Sequence, residues 1–161
     1  MPPKRKRPVL QSDLAEAFEQ VSEGRDIPGP RRLLSRITAA DAATKLPGAP
    51  YSILDNLAHA DPWQRIFLAP MLGTRSPSYL EDWKEHQPAD WEGVRKGFLE
   101  RFEAARRLAA EGFDKADQAK TDSARARLIQ TLIHDAYHLG QINLLKRMLR
   151  AHKAGRSRPG K

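Results

Sequence analysis

SARARLIQTLIHDAYHLGQINLLKRMLRA, residues 123–151, is the stretch on which the fold turns. It holds no proline, one glycine and apolar residues at helical spacing, so it predicts a long amphipathic helix. Inside it stand two histidines four residues apart, in His134-Asp135-Ala136-Tyr137-His138-Leu139-Gly140-Gln141. At 100° per residue they project about 40° apart from one side of the helix. A wheel centred on His134 gathers Tyr137, Gln141, Leu144, Leu145, Met148 and Leu149, and sends Arg125, Lys146, Arg147 and Arg150 to the opposite flank. The two imidazoles are therefore expected in the middle of the core-facing arc. There they need hydrogen bonds or a metal to offset the cost of burying polar groups.

Working outward, residues 90–112 predict another long helix. Trp91, Val94, Phe98, Phe102, Ala105 and Leu108 form one apolar stripe, and Gly112 ends it. Residues 70–89, rich in Pro, Ser and Gly, read as a long loop with Tyr79 and Trp83 at a substrate entrance or on a plain surface connection. Ser52-Ile53-Leu54-Asp55 opens a helix with a capping-box pattern. That helix carries Leu57, His59, Trp63, Ile66 and Phe67, and Pro62 is expected to kink or split it near Ala58. Residues 10–24 read as a first helix capped by Ser12, and residues 31–37 as a short one. Thr38-Ala39-Ala40-Asp41 has the capping pattern again. No segment alternates like a strand, so the fold class is all-α, four amphipathic helices in a bundle.

Composition bounds the chemistry. The chain has 161 residues and no cysteine, so a metal site must use His, Asp or Glu. No apolar run reaches the ~18 residues of a membrane span. The start, Met1-Pro2-Pro3-Lys4-Arg5-Lys6-Arg7, is basic with no apolar stretch after it, so a cytoplasmic protein is expected. The net charge of +8 sits in the ends. Residues 1–8 carry four basic residues, and Lys153, Arg156, Arg158 and Lys161 follow in 152–161. The reading is a folded body at 9–151 between basic disordered tails at 1–8 and 152–161. Salt-sensitive contact of those tails with nucleic acid is the alternative role for the charge.

His59 supplies a third imidazole. Three of them from two packed helices would form a facial metal site with open positions. Ser52, Asp55, Asn56, Trp63 and Ile66 share the face of His59. Asp55, one turn before it, can orient an imidazole or take a coordination position. Gln141, one turn past His138, can hydrogen-bond a water at the site. Spacing alone leaves metal binding and a hydrogen-bonded core histidine both open. His86, in a loop beside charges, and His152, in the basic tail, are not counted as ligands.

Two segments resemble the DinB-like (damage-inducible, YfiT-related) metalloenzyme family. Pro50-Tyr51-Ser52-Ile53-Leu54-Asp55-Asn56-Leu57-Ala58-His59, with Trp63-Gln64 after it, is similar to the family's P-x-S-I…H…W-Q segment. His134 to Gln141, then Ile142 and the basic, leucine-rich Leu144-Leu145-Lys146-Arg147, is similar to its H-x-x-x-H-x-G-Q-I ending. The resemblance implies an antiparallel four-helix bundle with a divalent zinc, nickel or iron ion held by His59, His134 and His138, a histidine triad. It implies a metal-dependent transferase that activates a low-molecular-weight thiol toward an electrophile, as in relatives using bacillithiol or mycothiol. Hydrolysis through an acidified water is the lesser option. Where many relatives have arginine, this chain has Leu139. The alternatives are a non-catalytic, metal-binding, stress-associated bundle and a basic-tailed nucleic-acid-associated helical protein. The apolar faces and the family both allow a homodimer.

Overall fold

A computed structural model of the chain describes residues 9–78, 83, 86–112 and 118–156. The tail at 1–8, Tyr79 and residues 157–161 lie outside the described residues. Those described form six α-helices and no strand. They are α1 (Val9–Glu23), α2 (Pro30–Leu34), α3 (Ala39–Ala43), α4 (Ile53–Leu72), α5 (Trp91–Glu111) and α6 (Gln118–Arg156). A short 3-10 turn, Pro88–Asp90, leads into α5. Helix α4 packs against both α5 and α6, and α1 packs against α5.

Local chemistry sets the helix ends. Ser52 caps α4 in a full capping box: its hydroxyl accepts from the Asp55 N–H at 3.1 Å, while Asp55 Oδ2 accepts from the Ser52 N–H at 2.9 Å. Gly73, at φ 63°, ends α4 in the left-handed conformation that glycine adopts without strain. Thr38 Oγ1 caps α3 by accepting from the Asp41 N–H at 3.1 Å.

Several boundaries differ from those the sequence suggests. Helix α1 includes Val9–Glu23, so Ser12 stands within it and not at its first position. Helix α2 stops at Leu34, short of Ile37, because Ser35 turns to an extended conformation. Helix α4 runs unbroken through a buried Pro62 and on past Pro70. A proline removes one N–H bond, and here the flanking turns are held by buried Leu57, Ala60 and Leu68. The long loop is correspondingly shorter. Helix α6 is longer at both ends than residues 123–151, and 152–156, assigned to a disordered tail, continue it.

The core falls into two apolar clusters. One gathers Leu33, Leu34, Leu54, Leu57, Trp91, Phe98, Leu139 and Ile142. The other gathers Leu14, Phe18, Leu68, Phe102, Ala105 and Leu128. Trp91 is fully buried, and its indole N–H donates to the Ile37 carbonyl at 3.0 Å, so burial leaves no orphan donor. Phe18 of α1 meets Phe102 of α5 with ring centroids 5.8 Å apart. Between the clusters, at the middle of α4, α5 and α6, lies a belt of polar residues: Asp61, Gln64, Arg101, Thr131 and Asp135, with the histidines at its edge.

Candidate metal centre

The geometry of α4 and α6 brings the three histidines together. His59, His134 and His138 each offer a ring nitrogen, and these atoms all lie within 4.8 Å of one another. His138 Nε2 and His134 Nε2 are 3.2 Å apart. Two nitrogens each about 2.1 Å from one ion are separated by about 3.0 Å at a right angle and about 3.4 Å at the tetrahedral angle. The observed spacing falls between these limits. The ring of His59 lies 5.0 Å from that of His138 and 5.7 Å from that of His134, centroid to centroid. The set fits a divalent transition metal: three neutral nitrogen donors, two from one helix and one from its neighbour.

The protonation pattern agrees with a ligand role. Asn56 Nδ2 donates to Gln141 Oε1 at 2.7 Å, so its Oδ1 is the atom that faces His138 Nδ1, at 3.0 Å. An amide oxygen only accepts, so Nδ1 carries the proton and the Nε2 lone pair is left toward the other imidazoles. His138 is buried, and burial pushes its pKa down to about 3, with the neighbouring His134 and His59 adding to the effect. It is a neutral imidazole at any physiological pH.

Asp55 does not take the role expected of it. Its carboxylate is engaged by the N–H and hydroxyl of Ser52, and Asn56, one residue on, is the group that orients an imidazole. Gln141 accepts from Asn56, 85 residues away in the chain, and its own contact with His138 opposes the fall of that imidazole's pKa. Trp63 does border it: its ring lies 5.9 Å from that of His134 and 6.5 Å from that of His59. The wheel centred on His134 misplaced the core. Leu128, Thr131, Asp135, Leu139 and Ile142 are the fully buried residues of α6, whereas Ile133, Tyr137 and Leu144 are exposed. The centre of the buried arc lies roughly 80° round the wheel from His134, so the histidines sit on its flank, facing both core and mouth. Lys146, assigned to the wet face, is half-buried.

Aromatic rings wall the open side. Trp83 stacks on His59 with centroids 4.0 Å apart and planes at 18°, and Tyr51 lies 5.8 Å from Trp83. Trp83 has φ 56°, an uncommon conformation for a bulky residue. Tyr137 meets His138 edge-on at 5.2 Å. The Tyr51 hydroxyl titrates above its ordinary range, chiefly through burial and then through Tyr137.

Beneath His134 the belt joins three helices. Gln64 Nε2 donates to Asp135 Oδ2 at 2.7 Å, and Arg101 pairs with Asp61. Asp135 is wholly buried, and desolvation pushes its carboxyl up to about 8 against the opposing pull of Gln64 and Arg101. Burial likewise lowers the Arg101 guanidinium. Gly97 makes room for the ion pair: a Cβ there would come within 2.5 Å of an Arg101 nitrogen. Sequence reasoning missed Asp135 and Arg101: Arg101 is not part of the apolar stripe read on α5, and Asp135 carried no motif of its own. The signal was present in the Trp63-Gln64 dipeptide, which places a long amide on the buried face of α4.

His86 and His152 take no part in the cluster. Comparison with protein-family models, curated proteins and solved structures finds no match. Among the described residues, no helix is long and apolar enough to cross a membrane.

Proposed function

We propose that this chain is a metal-binding protein of the DinB-like type, built as an antiparallel four-helix bundle, and that it is a metal-dependent transferase acting on a low-molecular-weight thiol in the cytoplasm. One observation carries the reading: three imidazoles from two helices converge within 4.8 Å, and the innermost, His138, has its outer nitrogen held by Asn56. A divalent ion bound there lowers the pKa of a thiol or water that reaches it. The protein's own part is positional. Asn56 and Gln141 hold His138 in one tautomer, and the belt under His134 fixes the spacing of α4 and α6. Trp83, Tyr51 and Tyr137 offer flat apolar surfaces to the organic part of an electrophile.

Elemental analysis of untagged protein tests the metal. About one zinc, nickel or iron per chain is expected, lost in His138→Ala; a metal-free protein that also rejects added ions ends the reading. Turnover of a model electrophile with added thiols, abolished by chelation, tests the transferase. A second reading, a metal-binding bundle without catalysis, is favoured by Leu139. It is fully buried in an apolar cluster, so the position where many DinB-like relatives have arginine sends no cation to the site. Stoichiometric metal with no turnover across the thiol panel would select it.

A further inference from the structure

We propose that the C-terminal half of α6 carries a second site, independent of the histidines, that binds a phosphate group, free or as the phosphomonoester of a small molecule. A cavity of about 70 Å³ opens where α6 meets the segment joining α2 to α3. Its polar lining is Arg36, Asp41, Lys146, Arg150 and Lys153, over an apolar floor that includes Ile37. That volume holds several waters or one tetrahedral oxyanion. Lys146 begins it some 12 Å along the helix from His138.

The charges do not balance. Asp41 is the one carboxylate in the lining, and Lys153 pairs with it. Lys146 is held in place by the carbonyls of Leu33 and Ser35, the latter at 3.1 Å, where it closes the C-terminal end of α2. Two of its three donor directions are thereby used, and neither contact neutralises its charge. Arg36 and Arg150 make no ion pair among the described residues, and both lie close enough to Lys146 to disfavour its protonated form, after burial itself. Arg36 and Arg150 are exposed and Lys146 is half-buried, so solvent screens part of this repulsion, and a bound anion would replace it with attraction.

The backbone explains how Arg36 reaches the cavity. Ser35 at φ −68°, ψ 151° and Arg36 at φ 59° form the turn that ends α2, and this turn brings Arg36 into the lining. Two guanidinium forks and an ammonium match the three oxygens and roughly double charge of a phosphate monoester better than a single carboxylate. The site uses none of the residues of the metal centre, so it stands whether or not those histidines bind an ion.

Calorimetric titration of the full chain with inorganic phosphate, at ionic strength fixed with chloride, tests this. Saturable one-site binding is expected, at least tenfold weaker in Arg36→Gln/Arg150→Gln. Arg125→Gln/Arg127→Gln, the same loss of charge at the other end of α6, should leave the affinity within twofold. Glycerol phosphate binding more tightly than inorganic phosphate would point to a small-molecule ester; the reverse order would point to the free ion. Both results support the site. Absence of a saturable response would overturn it, as would equal weakening in both double variants. A response only to a DNA duplex, lost on adding salt, would also overturn it and replace it with a polyanion surface.

Discussion

The two apolar clusters and the polar belt between them share helices α4, α5 and α6 and use them to opposite ends. In the clusters, Leu57, Trp91, Phe98 and Ile142 at one end and Phe18, Phe102 and Leu128 at the other are packed together, and the one polar atom among these side chains, the Trp91 indole N–H, is met by the Ile37 carbonyl. In the belt, Gln64, Arg101 and Asp135 are withdrawn from water with part of their hydrogen-bonding capacity unused: Gln64 Oε1, Asp135 Oδ1 and Arg101 Nε have no partner among the described residues. The first arrangement stabilises the fold through area removed from water. The second costs stability and fixes position, since a buried polar network tolerates few alternative packings. The histidines sit where the belt reaches the surface, so the part of the molecule that is worst for stability holds the candidate chemistry.

The largest expected effect is in a cluster. Phe98→Ala should cost about 3–5 kcal/mol in denaturant unfolding, because a fully buried ring is replaced by a cavity. A loss below ~1 kcal/mol would mean that the cluster is not the main stabilising region. The belt should respond with the opposite sign. Asp135 holds its proton more tightly folded than unfolded, so its contribution is complete below about pH 4 and declines as pH rises toward 8. Asp135→Asn removes that decline. The variant should gain several kcal/mol on the wild type between pH 5 and 9 by chemical denaturation. Parallel pH profiles would show that Asp135 is not desolvated as described.

Asn56 marks the junction of belt and site. Asn56→Ala should weaken metal binding about 10–100-fold in a competition assay with a chelating dye, while the fold persists. Unchanged affinity would remove Asn56 from the support of His138. The capping box is a smaller matter: Ser52→Ala should cost about 1 kcal/mol of unfolding free energy. Smallest of all is the outer face of α6. Ile133 is 65% exposed, and Ile133→Gln should change the monomer's stability by less than ~0.5 kcal/mol. A larger, concentration-dependent loss of melting temperature would instead reveal a homodimer through that face.

The helices were legible where one periodic signal dominated. Trp91, Phe98, Phe102 and Ala105 of α5 are buried as their spacing predicts, with Val94 and Leu108 half-buried at the stripe's edge. On α6 the apolar residues occupy two arcs. Leu128, Leu139, Ile142, Leu145 and Leu149 face the core, and Ile133, Tyr137 and Leu144 face out. A wheel centred on the histidines straddled the two: its Leu145 and Leu149 are buried, while its Tyr137, Leu144 and Met148 are exposed. The clustering of His59, His134 and His138 was legible because histidine is scarce and the four-residue spacing is tied to the helical turn. Its support was not, because it depends on contacts such as Gln64 with Asp135, 71 residues apart, which leave no local pattern. Asp55 shows the competing pull: its Oδ2 accepts from both the N–H and the hydroxyl of Ser52, which holds the carboxylate at the start of α4.

X-ray absorption on protein loaded with one equivalent of zinc probes the common centre of His59, His134 and His138 most directly. Scattering from three imidazoles is expected, with Zn–N about 2.0–2.1 Å, falling to two in His59→Ala and in His134→Ala. A spectrum fitted by one imidazole or none, or one that neither substitution changes, would contradict the account.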